Sequence, residues 1–299
     1  MADGGRAAGV AFVIASALAF GTMAVLARRV YADGVDTTTL LALRFGIAFA
    51  CLAPVAGVMR ATLPRGRDLA VAAALGAIGY GGQAMTFFTA LMLAPAGVVA
   101  LLLYLHPALV AVLAALLLHE RMDARKLVAC GVALGGMVLT VAPAATGALG
   151  DVYPKLPLGI ALGIAAAAIY SVYIIVGTRL GSRVEPLALA TVVIGSAALV
   201  FAVAALARGP VLPRTLAGWA AITGIALVCT VGAITLYFAG LSRVGATRAA
   251  TLSTIEPLFT VMLAAVVLDE RIAAIQVAGG AFILGAVLML ARRSEQARS

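Results

Sequence analysis

The sequence predicts an all-α integral membrane protein whose ten transmembrane helices form two inverted five-helix repeats. Three observations lead there: a charge-poor composition, ten apolar runs of about bilayer length, and an internal repeat offset by 150 residues. Of 299 residues, 64% are hydrophobic and 11% charged, against roughly 45–50% apolar and about 25% charged in soluble domains. So few charges cannot make a water-facing surface. The bilayer is the solvent, and a run of about 20 apolar residues crosses it as a helix.

Hydropathy, read against proline, glycine and charge punctuation, predicts spans near 8–27, 38–59, 69–92, 97–118, 125–142, 157–178, 187–207, 217–240, 247–268 and 273–291. The first run, Ala7 to Ala27, exceeds the roughly 7–15-residue core of a cleaved signal and is expected to remain as a helix. Connections are short except Pro143 to Leu156, which contains proline and glycine. It reads as a linker at 143–156 between repeats at 1–142 and 157–299. Cys51, Cys130 and Cys229 fall in separate spans without a metal or redox spacing, so buried packing is expected for each.

The net charge of +9 does not point to nucleic acid, because the basic residues lie between spans without phosphate-binding clusters. One face receives fourteen of the 21 Lys and Arg residues, from Arg6 through Arg60, Arg125 and Arg243 to Arg298. The other receives Arg28, Arg29, Lys155, Arg208, Arg214 and Arg271. Positive residues stay cytoplasmic, so both termini are expected on the cytoplasmic side of a bacterial inner membrane.

Shifting the chain by 150 positions lays Pro107 on Pro257, Glu120-Arg121 on Glu270-Arg271, Gly135 on Gly285, Gly9 on Gly159, Gly82 on Gly232 and Phe88 on Phe238. Five spans per copy is an odd number. The second copy therefore enters from the opposite face, related to the first by a pseudo-two-fold axis in the membrane plane, a transporter arrangement.

With that layout, the fourth-span run from His106-Pro107 to His119-Glu120-Arg121 and its copy from Glu256-Pro257 through Leu258 and Phe259 to Asp269-Glu270-Arg271 resemble the EamA branch of the drug/metabolite transporter superfamily. The resemblance covers nearly the whole chain. It implies a secondary carrier of small molecules, often an exporter of amino acids or related metabolites, with a central cavity between the repeats. No cofactor or metal is expected.

Glu256 lies about 9 residues into the ninth span, roughly 13 Å deep and near the midplane. An ionised acid there costs about 2.5–3.5 kcal/mol on insertion scales, so it should face a cavity or a partner, or be protonated. The residue reads either as a proton-coupling or substrate-amine site, or as a carboxyl that stabilises the Pro257 kink. Its repeat partner His106 precedes Pro107 at similar depth and reads as a proton relay or a packing residue. Each proline removes a helical hydrogen bond and frees a carbonyl that lipid cannot satisfy, so both kinks mark the expected binding level.

Rings and polar groups recur at helical spacing: Tyr80, Gln83 and Phe87 on the third span, Tyr170 and Tyr173 on the sixth, with Phe20, Met23 and Tyr237 as repeat copies. Together with Tyr104 and Thr254 they form the expected cavity lining, suited to ring-bearing or amphipathic solutes. An aromatic belt or simple helix packing is the competing reading. Arg44, about 10 Å inside the second span, is a candidate carboxylate contact. A snorkel to the headgroups is the favoured alternative. Glu120 and Glu270 are expected to be helix-end and gate contacts. Gly131-x-x-x-Gly135 and Ala281-x-x-x-Gly285 allow close helix approach, without implying a dimer.

An enzyme would need a nucleophile-base pair, a metal cluster or paired acids, and the chain has two histidines and no acid pair within a span. A channel would need a polar stripe or charged ring, and an ATP-driven pump a P-loop; none is in the sequence. A sugar-phosphate or nucleotide-sugar carrier would need more cavity cations than Arg44. Neutral amino acids, aromatic ones first, are the expected substrates.

Overall fold

The structure is a computed structural model that describes residues 2–118, 122–145 and 152–291. Among these residues ten helices are long and apolar enough to cross a membrane, and there is no strand. They are α1 (Ala7–Ala32), α2 (Thr37–Val58), α3 (Gly66–Leu93), α4 (Ala96–Leu117), α5 (Ala124–Pro143), α6 (Leu156–Gly181), α7 (Pro186–Arg208), α8 (Leu216–Val244), α9 (Arg248–Val267) and α10 (Ala274–Ala291). Only helices with internally satisfied backbones, or closed barrels, survive in hydrocarbon. Local chemistry sets several ends: Asp36 caps α2 by accepting from the Thr38 and Thr39 amides, Thr215 caps α8, and α7 runs out at Gly209 with φ 82°.

The helices pack mainly as α1 with α8, α5 with α10, α3 with α6 and α2 with α7, followed by α3 with α7, α4 with α6 and α1 with α9. Advancing every label by five exchanges α1–α8 with α3–α6 and α4–α6 with α1–α9, and returns α2–α7 and α5–α10 to themselves. That is the pattern two inverted copies must produce about a two-fold axis. Small residues bring the pairs together. A β-carbon on Gly136 would lie 2.7 Å from the Gly279 carbonyl oxygen, and one on Gly279 would lie 2.6 Å from that of Gly136.

Two expectations are corrected here. Gly131, Gly135 and Gly285 face open space, so that motif does not make the α5–α10 contact. The contact falls one residue on at Gly136, because the 3.6-residue turn presents a different face to the partner. Cys51 is exposed, whereas Cys130 and Cys229 are buried; an apolar residue on a span is equally content against lipid.

Five interruptions shape the bundle. α1 breaks at Thr22, α4 between Leu103 and His106, and α9 at Thr254. α3 and α8 carry π-helical turns at Leu75–Tyr80 and Leu227–Gly232. A π-turn adds a residue to the helix and re-aims the side chains around it.

Candidate functional site

The breaks in α4 and α9 follow from their prolines. Pro107 and Pro257 cannot donate to the carbonyls four residues earlier, those of Leu103 and Ser253. Side chains take both places. His106 Nδ1 donates to the Leu103 carbonyl oxygen at 3.0 Å, and the Tyr104 hydroxyl donates across the repeats to that of Ser253 at 3.1 Å. A carbonyl can only accept, so His106 carries a proton on Nδ1 and, in the neutral ring, offers Nε2 as an acceptor.

At this level lies a cavity of about 150 Å³. It is lined by Phe20 and Met23 of α1, Arg44 of α2, Tyr80, Gln83 and Phe87 of α3, Tyr104 and His106 of α4, Tyr170 of α6, and Glu256 with Pro257 of α9. The sequence singled out all of these. Tyr173 stands one layer behind, stacked on Tyr80 at 5.6 Å and Tyr170 at 5.8 Å, and the ring series continues from Tyr170 to His106 at 4.9 Å. Pro107, unlike Pro257, does not line the cavity.

Two other expected residues do not line the cavity. Tyr237 packs with Val13, Val244 and Ala249 where α8 crosses α1, and Thr254 donates to the Thr251 carbonyl oxygen within its own helix. α8 reaches the site through Thr230 instead. Sequence reading missed Thr230, Ala24, Phe88, Ala100, Leu103 and Thr260. The 150-residue offset that lays Tyr80 on Thr230 held the signal for the first.

Arg44 does not snorkel, which corrects the favoured expectation. It is 3% exposed, with Nε donating to Thr230 Oγ1 at 3.1 Å and Nη2 to the Tyr80 hydroxyl at 3.0 Å. Its guanidinium lies 5.0 Å from the Phe45 ring, 5.2 Å from Phe88 and 5.8 Å from Tyr80. The π-turns supply both hydroxyls, and Thr230 is itself held by donating to the Ile225 carbonyl oxygen at 2.9 Å. A helix-end snorkel needs a clear route to the headgroups, and α3 and α8 close it.

Glu256 is half-buried at the cavity wall and forms no ion pair among the described residues. Its backbone is tied by Thr260, whose hydroxyl lies 3.0 Å from both the Glu256 and Gly21 carbonyl oxygens.

On the face with fewer cations the site is covered. Glu270 accepts from the Ala96 amide at 2.7 Å and the Gly97 amide at 3.1 Å, so its carboxylate caps the positive N-terminus of α4. Arg28 approaches the same carboxylate at 3.6 Å and donates to the Ala94 carbonyl oxygen and the Tyr153 hydroxyl. Ala96 through Leu102 are all buried, whereas among the described residues at the start of α9 only Ala249 is. Glu120, the counterpart of Glu270, lies outside the described residues, as do His119 and Arg121.

Ten spans in two inverted copies around one buried, polar-handled cavity define a membrane transporter. The chain belongs to the EamA-like transporter family, whose model matches residues 7–142 and again 157–292. It is similar to an uncharacterized transporter of Archaeoglobus fulgidus, 27% identical over 283 residues, covering 94% of this chain and 95% of the relative. A crystal structure of a protein with 23% identity superposes with a TM-score of 0.64 over 97% of this chain and 99% of its own, which shows a shared fold.

Proposed function

We propose that this chain is a secondary carrier that exports neutral amino acids, aromatic ones first, and related small metabolites across a bacterial inner membrane by alternating access. The observation that carries the reading is the ring-lined cavity at the two proline breaks, holding Arg44 and Glu256 together. Its volume of about 150 Å³ suits a small metabolite, below the roughly 300–1,000 Å³ of drug-sized sites. Stacked rings suit aromatic side chains, and one cation with one acid suits a zwitterion.

The cation-rich face is cytoplasmic on the positive-inside rule, with both termini there. The buried start of α4 under Glu270 supports a state closed to the outside. Two five-span units, 1–142 and 157–299, rock about the linker at 143–156 and the prolines. Glu256 serves as the amine-binding or proton-coupling acid, with His106 beside the same space.

Counterflow of labelled amino acids in proteoliposomes, with and without a pH gradient, tests substrate and coupling together. Exchange of phenylalanine or tyrosine ahead of aliphatic and charged amino acids is the expected result. Failure of every amino acid to exchange ends the substrate assignment.

A further inference from the structure

Arg44 is a buried cation without a counterion among the described residues. Nη1 makes no hydrogen bond to the described residues, and the side chain lines the cavity. No acid pairs with it among the described residues. An unpaired buried charge is costly, and the flanking rings offset part of that cost without supplying an anion. The place of a counterion is therefore open to a solute.

We propose that Arg44 is the carboxylate-recognition residue of the cavity, and that Tyr80 and Thr230 are positioning residues that hold Nε and Nη2 so that Nη1 faces the solute. This rests on the carrier reading and deepens it, because it makes a carboxylate obligatory. One guanidinium balances one negative charge, so a monoanionic carboxylate fits better than a phosphate dianion, which the nearby Glu256 would repel. The orientation is also fixed. The 150-residue offset carries Tyr80 onto Thr230, a hydroxyl in both copies, but carries Arg44 onto the buried Ile194. The cavity has one anion-holding end, and a solute cannot bind equally in two directions. Arg suits the task because its planar fork keeps a donor edge after two others are fixed.

The test uses the full chain in proteoliposomes and nanodiscs with three probes: L-phenylalanine, phenethylamine, which lacks the carboxylate, and 3-phenylpropionate, which lacks the amine. Binding is read by ligand-induced thermal stabilisation and exchange by counterflow. Phenylalanine is expected to bind and exchange, and phenethylamine to do neither. Arg44→Gln should weaken phenylalanine binding about 10–100-fold. Thr230→Val should weaken it about tenfold with exchange at saturation unchanged, and Thr230→Ser should restore it. Should Arg44→Gln fail to fold, the Thr230 pair alone decides. Phenethylamine binding as well as phenylalanine, or a Thr230→Val affinity equal to wild type, overturns the assignment and leaves the carrier standing. Binding of 3-phenylpropionate without phenylalanine keeps the carboxylate site and removes the amino-acid reading. Silence from all three probes removes both.

Discussion

The Tyr104 hydroxyl hydrogen-bonds, at 3.1 Å, the Ser253 carbonyl oxygen that Pro257 leaves without a helical donor. A side chain of one repeat thus completes the broken helix of the other. The equivalent carbonyl in the first repeat, that of Leu103, is served from within by His106. Glu256, at the place of His106, cannot do the same when ionised, because a carboxylate only accepts.

Tyr104→Phe should therefore cost about 1–3 kcal/mol of stability, the penalty for an unmade buried hydrogen bond. Pro257→Ala restores an N–H to that turn, so in its presence the same tyrosine change should cost distinctly less. Thermal unfolding of the four proteins in one detergent measures the coupling. Additive losses would show that the two groups act independently.

Glu256→Gln keeps the shape of the side chain and removes its titration. Stimulation of net transport by a pH gradient should disappear, while the aromatic lining still admits the solute. Uptake that responds to the gradient as wild type does would take Glu256 out of the coupling role.

Glu270→Ala removes two charge-assisted bonds from the α4 N-terminus and one neighbour from Arg28. The face with fewer cations should open more often. A cysteine at the cavity-lining Ala100, in a Cys51→Ser background, should then react at least ~10-fold faster with a membrane-impermeant thiol reagent. An unchanged rate would mean that apolar packing alone keeps that face shut.

Asp36 lies just ahead of α2 and outside the spans. Burial raises its pKa, but the Thr39 hydroxyl and the Thr39 and Thr38 amides outweigh it and hold the carboxyl below its ordinary value. A depressed folded pKa stabilises above the unfolded value of about 3.9 and is lost as pH falls through the folded one. Asp36→Ala should cost about 1 kcal/mol at neutral pH. Asp36→Asn should keep the cap and flatten the loss of melting temperature on acidification below about pH 4.

Gly279→Ala should destabilise by about 1–3 kcal/mol, because its methyl group would meet the Gly136 backbone and Thr140. Gly135→Ala, in open space, should be neutral or stabilising by up to about 1 kcal/mol, the helix-propensity gain. Melting temperatures that rank the two the other way would put the α5–α10 contact back on the Gly131–Gly135 face.

By itself the sequence determined the ten spans, the inverted duplication and most of the cavity wall. Apolar run length, odd span count and residue type are local or periodic quantities that need no partner to be read. It also placed both proline breaks, since the missing N–H is a property of one residue. Only the tertiary structure decided what the freed carbonyls and charges meet. Arg44 has the sequence signature of a snorkelling side chain, and its inward course depends on where α3 and α8 close around it. Tyr237 shares a register with Phe87, yet α8 leans on α1 near Gly9 and Gly240, and that ring packs beside Val13, Val244 and Ala249 and does not line the cavity. Glu270 reads as a helix end in sequence, and its role as a cap on α4 exists because residues 173 positions apart meet across the bundle. Pairings between distant groups are set by packing, which hydropathy does not encode.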